Sequence, residues 1–250
     1  MLASLKAEFR KLLTIRSTYV IFAIAILLAV FFAFYAEGIK ATASALQRPD
    51  LLVSESKQAI MATGLLGALV GVLLVAHEYR YNTIMYTLTS SNSRTKTLLA
   101  KLVVVSAFAV LFSLTMGVLS PLLTALGIKL GGHTLVHQSF PIWDVMWRVV
   151  FVGWGYAIFG FILAVAIRIQ VGAISTMFLW PAMLEPLAGL LLRHNASYLP
   201  LNDLSNIAME NDPHVISEMN TVAHPVLLFL GYIVLGLIVV WQLFLRRDAN

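Results

Sequence analysis

Long apolar runs, separated by short charged clusters, set the pattern of this sequence. Six runs contain no Asp, Glu, Lys or Arg: Ser17–Ala36, Gln58–Ala76, Leu102–Ile128, Val149–Ile167, Ile169–Leu184 and Pro225–Leu245. A helix needs about 20 residues to cross roughly 30 Å of hydrocarbon. The pattern therefore predicts an all-α integral membrane protein, one domain over residues 1–250, with spans near 17–36, 58–76, 102–128, 149–167, 169–190 and 225–245. The third run is long enough to tilt or to continue past the interface. Only Arg168 and a tight "RIQVG" turn separate the fourth and fifth, so these form a helical hairpin. The fifth passes through "WPAMLEPLAGLLLR", where Pro181 and Pro186 interrupt regular helix.

Two stretches outside the runs have patterns of their own. In residues 2–16, "LASLKAEFRKLLTIR", Leu2, Leu5, Phe9, Leu12 and Leu13 share one helical face, and Lys6, Glu8 and Lys11 look elsewhere. Such a helix lies along the bilayer surface. Phe9, Arg10 and Lys11 are its anchoring residues, and Arg10, Lys11 and Arg16 oppose reading it as a simple extension of the first span. Between the fifth and sixth spans, Leu192–His224 mixes Pro, Asn, Asp and His with apolar pieces such as Tyr198–Leu201. This external or re-entrant region is either solvated or holds short helices dipping into the outer leaflet. Its Asn195-Ala-Ser197 sequon carries meaning only in a eukaryote.

Composition sharpens the class. The chain is 60% hydrophobic and 12% charged, against about a quarter charged in soluble domains. Cysteine is absent, which excludes disulfides, thiolate nucleophiles and Cys-ligated metals. The first run lacks a convincing small-residue cleavage site, so no removable signal is expected. With the N-terminus in the cytoplasm, Lys6, Arg10, Lys11, Arg16, Arg80, Arg94, Lys96, Lys101, Arg168, Arg246 and Arg247 all lie inside. These are eleven of the seventeen Lys and Arg residues, leaving six outside. The positive-inside rule then puts both termini in the cytoplasm. The same distribution makes the net charge of +5 a topology signal and a lipid contact, with no nucleic-acid footprint. A bacterial plasma membrane is the expected location.

Candidate chemistry is sparse. His77-Glu78 opens like H-E-x-x-H, but Tyr81 stands where the second histidine belongs. His133 and His137 are spaced for chelation, yet "GGHTLVHQSFP" is turn-like and has no nearby carboxylate. Ser54-Glu-Ser-Lys57 matches S-x-x-K without its partner motifs. No P-loop and no G-x-S-x-G occurs. Gly67-x-x-x-Gly71 suits close helix packing. Glu185 is a carboxylate inside a membrane-like stretch, which marks a possible pathway or gating residue. Its neighbours Pro186 and Arg193 place it near the outer interface, where a capped or water-exposed helix end is the preferred reading. No catalytic, cofactor or metal residue is assigned.

The stretch between the second and third spans, "HEYRYNTIMYTLTSSNSRTKTLLAKL", is polar and basic with a compact apolar patch at Ile84, Met85, Tyr86 and Leu88. Ser90 to Ser93 form a turn and Thr95 to Lys101 restart a helix. A solvated loop has no need of that patch, whereas a short helix seated in a partner's groove has.

Here the chain resembles the membrane subunits of type 2 ATP-binding-cassette (ABC) exporters. "KAEFRKLLTIRS" is similar to the amphipathic helix that precedes their first span, and Glu78, Arg80, Thr83, Leu88, Ser90, Arg94 and Lys101 fall on the pattern around their second and third spans. Asn82 stands where a Gly is often found, and Asn92 where a Pro is common. The resemblance implies a permease working by alternating access, with a second copy or a paralogue completing the pathway. A separate ABC ATPase would hold ATP and Mg, leaving this chain without a cofactor or enzymatic activity of its own. It further implies a coupling helix that contacts the ATPase through Glu78, Arg80, Thr83, Met85, Leu88, Ser90, Arg94 and Lys96. Two alternatives are a non-transporting scaffold or sensor with the same fold, and an intramembrane enzyme, for which the spans offer few ionisable residues.

Overall fold

The computed structural model describes residues 2–86, 93–209 and 223–246, and no strand occurs among them. Helix α1 (Leu2–Thr14) is followed by α2 (Arg16–Ala29), which continues in π winding through Val30–Ile39. Next come the single turn α3 (Ala43–Leu46), α4 (Leu51–Arg80), α5 (Arg94–Leu130) and α6 (Ile142–Ile167). Helix α7 (Gln170–Leu179) passes through a π turn, Trp180–Leu184, into α8 (Glu185–Leu192). A 3₁₀ segment (Arg193–Tyr198), α9 (Pro200–Met209) and α10 (Ala223–Arg246) complete the described chain. Among the described residues, six stretches are long and apolar enough to cross a membrane: Arg16–Ile39, Leu51–Arg80, Arg94–Leu130, Ile142–Ile167, Gln170–Leu192 and Ala223–Arg246.

Several of these helices run well past the charge-free runs. Helix α4 takes in Glu55, Lys57 and Glu78, and α5 takes in Lys101, all of them buried. Charge ends an apolar run in the sequence but does not end a helix when, as for Glu78 and Lys101, the charged group has a partner inside the protein.

Helices α4 and α6 form the centre of the bundle, with α5 against both, while α2, α7 and α10 lie outside and are largely exposed. The central crossing depends on two glycines. A Cβ on Gly71 would stand 2.7 Å from the Ala157 carbonyl oxygen, and one on Gly160 would stand 2.6 Å from that of Ala68. Each helix thus presents a notch to the other's backbone, the close approach that small residues permit in membranes. The π-wound half of α2 crosses α5 in the same manner, where Gly38 meets Gly127. The second π turn has a local cause, since Pro181 and Pro186 supply no N–H to the helical ladder.

The connections are shaped by single residues. Ile15, in extended conformation (φ −75°, ψ 114°), breaks the chain between α1 and α2. Asn82, standing where glycine is common in the family resembled, has φ 53°, in the left-handed region that Asn tolerates better than most residues. Arg168 closes α6 with φ 62° and so makes the α6–α7 hairpin turn.

The segment after α8 is built into the bundle. Leu201, Leu204, Ile207 and Ala208 of α9 are buried in the main core. Both ends of α9 are held electrostatically. Glu185 accepts hydrogen bonds from the backbone N–H groups of Leu201 (2.7 Å) and Asn202 (2.9 Å), and Arg148 donates to the Ile207 carbonyl (3.1 Å). A carboxylate at the amino end and a guanidinium at the carboxyl end both oppose the helix dipole. Glu185, only 3% exposed, also accepts from the Trp180 indole N–H at 3.1 Å. Of the capped or water-exposed helix end expected at Glu185, the water-exposed form is excluded: three donors converge on it inside the protein.

Candidate functional site

One end of the bundle gathers most of the residues expected to meet a partner. It is formed by α1, the α4–α5 connection, the α6–α7 turn and the carboxyl end of α10, and is called the basic end here. Its foundation is a buried square of charge. Lys101 on α5 places its Nζ 2.8 Å from Glu8 Oε2 and 2.8 Å from Glu78 Oε1. Lys11 Nζ stands 2.9 Å from Glu8 Oε1 and pairs with Glu78 as well. Lys101 also donates to the Leu74 carbonyl at 3.4 Å. Two lysines and two carboxylates sum to zero, the condition on which buried charge is tolerable.

Burial alone would push the Lys11 ammonium down, but hydrogen bonding and charge from Glu78 and Glu8 more than offset it, and its pKa lies above the ordinary lysine value. Lys11 therefore stays protonated at neutral pH, and the square keeps its balance.

This square corrects the expected orientation of α1. Glu8 does not look away with the polar face: it is 2% exposed and Leu12 is 4% exposed, both against the bundle. Phe9 and Leu13, with Arg10, are on the exposed side. The reason is Lys101, which would otherwise be buried with only Glu78 beside it.

The residues expected to contact a partner divide into two sets. Glu78 is internal, a corner of the square. Arg80, Thr83, Met85 and Lys96 are exposed. Arg80 donates to the Gln170 side chain (3.2 Å) and lies over the Tyr81 ring, 5.5 Å from its centroid. Arg94 turns inward, donating to the Leu245 carbonyl at 3.1 Å and reaching that of Phe244 at 3.5 Å. Leu88 and Ser90 lie outside the described residues. The apolar patch also divides: Ile84 is 1% exposed and belongs to the core, while Met85 and Tyr86 are 50% and 77% exposed. Ile84 thus anchors the turn, and Met85 and Tyr86 face outward from it.

Three residues of this end escape a reading of the sequence alone: Glu8, Lys101 as a buried partner, and Arg168. Arg168 donates to the Leu243 carbonyl at 3.1 Å and lies 5.4 Å from the centroid of the Tyr79 ring. With Arg94 it binds the last carbonyls of α10. The available signal was a lone acidic residue in a basic helix, with a lysine 93 positions away where a span was expected to begin.

Glu185 belongs to the opposite end of the bundle, with α9, and none of the basic-end residues joins it. Among the described residues, no group of three or more His, Asp or Glu side chains is arranged to hold a metal ion.

A family model described as "ABC-2 family transporter protein" matches residues 4–188. The chain belongs to the ABC-2 transporter family. No individually curated protein matches it. As an ABC-2 membrane protein it is a multi-pass permease subunit of an ABC transporter, and the six apolar helices are its membrane part. The matched region runs from α1 into α8 and includes the buried square and the α4–α5 connection, while α9 and α10 follow it.

Proposed function

We propose that this permease subunit is part of an exporter, forms its pathway with a second copy or a paralogue, and is driven by a separate ATPase docking at the basic end. In this reading the basic end faces the cytoplasm, both termini lie there, and the membrane is the plasma membrane of a bacterium. ATP and Mg are bound by the ATPase, and the permease supplies no phosphate-binding loop of its own. The residues that receive the ATPase are Met85 and Tyr86 after α4, Leu88 and Ser90 further along the connection, and Arg80, Thr83 and Lys96 beside them. Glu78 and Arg94 act from within, setting the position of the turn, and Phe9, Arg10 and Lys11 hold α1 between protein and lipid.

One observation carries this reading. Met85 and Tyr86 are exposed on a turn that Ile84 locks into the core and whose flanking helices are tied to α1 by four charges. Exposed apolar side chains on a rigid mount suit the groove of a partner. Each well-buried large side chain contributes about 1.5–3 kcal/mol, and rim cations add less than about 1 kcal/mol apiece.

The test is co-purification of the permease with its ABC ATPase subunit. Met85→Asp should strip the ATPase from the permease, while His77→Ala should leave the complex intact. Retention of the ATPase by Met85→Asp, in a variant that still folds, overturns the docking surface.

A further inference from the structure

A cavity of about 210 Å³ opens between α2 and α4, with Ser120 of α5 at its inner wall. It lies away from the basic end, beside the π-wound half of α2, and no part of the proposed function uses it. Its chemistry is one-sided. Glu55 is 5% exposed and lines the cavity, with the Thr124 hydroxyl as its hydrogen-bonding neighbour and no ion pair among the described residues. Glu37 reaches the same cavity from α2. Thr63 spends its O–H on the Ala59 carbonyl at 2.6 Å, so its oxygen turns only lone pairs toward the space. The mouth is apolar, with Leu28 and Phe32, and the aromatic face of Phe32 attracts cations. Arg48 is the positive charge within electrostatic reach of Glu55, but it is exposed to solvent and does not line the cavity.

We propose that this cavity binds the head of a cationic amphiphile, specifically a protonated amine carried on an apolar body. Gln58 and Ser120 can donate as well as accept, but the ionisable groups of the lining are both carboxylates, so a guest that brings charged donors fits it. Two carboxylates favour a positive guest, and a buried carboxylate without a cationic partner gains most from that pairing. The space equals the liquid share of about seven water molecules, at about 30 Å³ each, enough for an ammonium head and the first part of its chain. The remaining chain leaves past Phe32 and Leu28 along the exposed side of α2, where lipid takes it up.

The experiment uses the full chain in lipid nanodiscs without ATPase or nucleotide, and so tests binding separately from transport. The probes are dodecylamine, dodecanol and dodecyl sulfate, compared by titration calorimetry against empty nanodiscs. Dodecylamine should bind saturably above the background of the empty nanodiscs and the other two should not. Glu55→Gln should weaken the amine by about tenfold or more, the size expected for losing a charge-assisted hydrogen bond. Ala62→Trp, which keeps both carboxylates and fills the mouth, should abolish saturable binding. Equal binding of amine and alcohol overturns the proposal, as does unchanged amine affinity in either variant. Should Glu55→Gln not fold, the Ala62→Trp result decides. Loss of the amine site would leave the permease reading untouched, and an inactive transporter would leave the amine site untouched.

Discussion

Lys101 reaches across 93 positions of sequence to Glu8, Nζ to Oε2 at 2.8 Å, with both side chains almost entirely enclosed. Removing one partner of a buried pair leaves an uncompensated charge and costs about 3–5 kcal/mol. Lys101→Met should therefore lower the thermal unfolding temperature sharply, whereas Glu8→Gln with Lys101→Met should lose less than the sum of the two single variants. A double-mutant cycle by thermal unfolding in detergent measures this coupling. Additive losses would mean the pair does not act as one unit.

Asp203 gives stability a particular pH dependence. Both of its carboxylate oxygens are enclosed without a hydrogen-bond partner, and burial, helped by the charge on Glu185, pushes its pKa up to about 8. The folded state then holds a proton that the unfolded chain releases near pH 4, so stability falls as pH rises between about 4 and about 8 and levels off above. Asp203→Asn removes this loss. Its unfolding temperature should match that of the parent near pH 4 and exceed it at pH 8.5. Parallel pH curves for the two proteins would refute the assignment.

Glu185 should behave as a helix cap. Glu185→Ala exposes two amide donors at the start of α9 and should cost about 1–2 kcal/mol, the upper range for lost caps. Glu185→Gln keeps an acceptor and should cost less. Hydrogen exchange at Leu201 and Asn202 is the direct readout, with faster exchange in the alanine variant. A transport defect in Glu185→Gln with unchanged exchange would point to a pathway role instead.

At the centre of the bundle, Gly160→Leu should separate α4 from α6, because its first side-chain atom already collides with the Ala68 carbonyl. Overpacking typically costs about 1–3 kcal/mol, and a clash with backbone cannot be relieved by a rotamer change. The variant should unfold at lower temperature than Gly231→Leu, where a Cβ meets nothing within 4 Å. Equal stability of the two would show that the crossing is looser than described.

What the sequence reveals here depends on how local each cause is. The membrane segments are legible because burial in lipid is written along the chain as apolar length, and the hairpin at Arg168 follows from the shortness of its turn. The square is not legible in the same way. On a helical wheel Glu8 sits with the polar residues, and only the arrival of Lys101 from α5 makes its side the buried one. Ile84 and Met85 are adjacent and both apolar, yet one is core and the other surface, a choice made by packing against distant helices. Glu185 was recognisable as unusual, but its donors lie 16 and 17 residues on, in a segment whose polar composition masked a buried helix.

The two arginines that grip the carboxyl end of α10 fix one end of that helix, and Phe229, buried against Phe151 of α6, fixes the other. Most of its length lies exposed on the outside of the bundle. At the basic end Arg94 and Arg168 are bonded to three of its successive carbonyls. Arg94 is the first residue of α5, directly after the connection from α4. A push on that connection that shifts the start of α5 therefore reaches the carboxyl end of α10 through a single side chain, the Arg94 guanidinium.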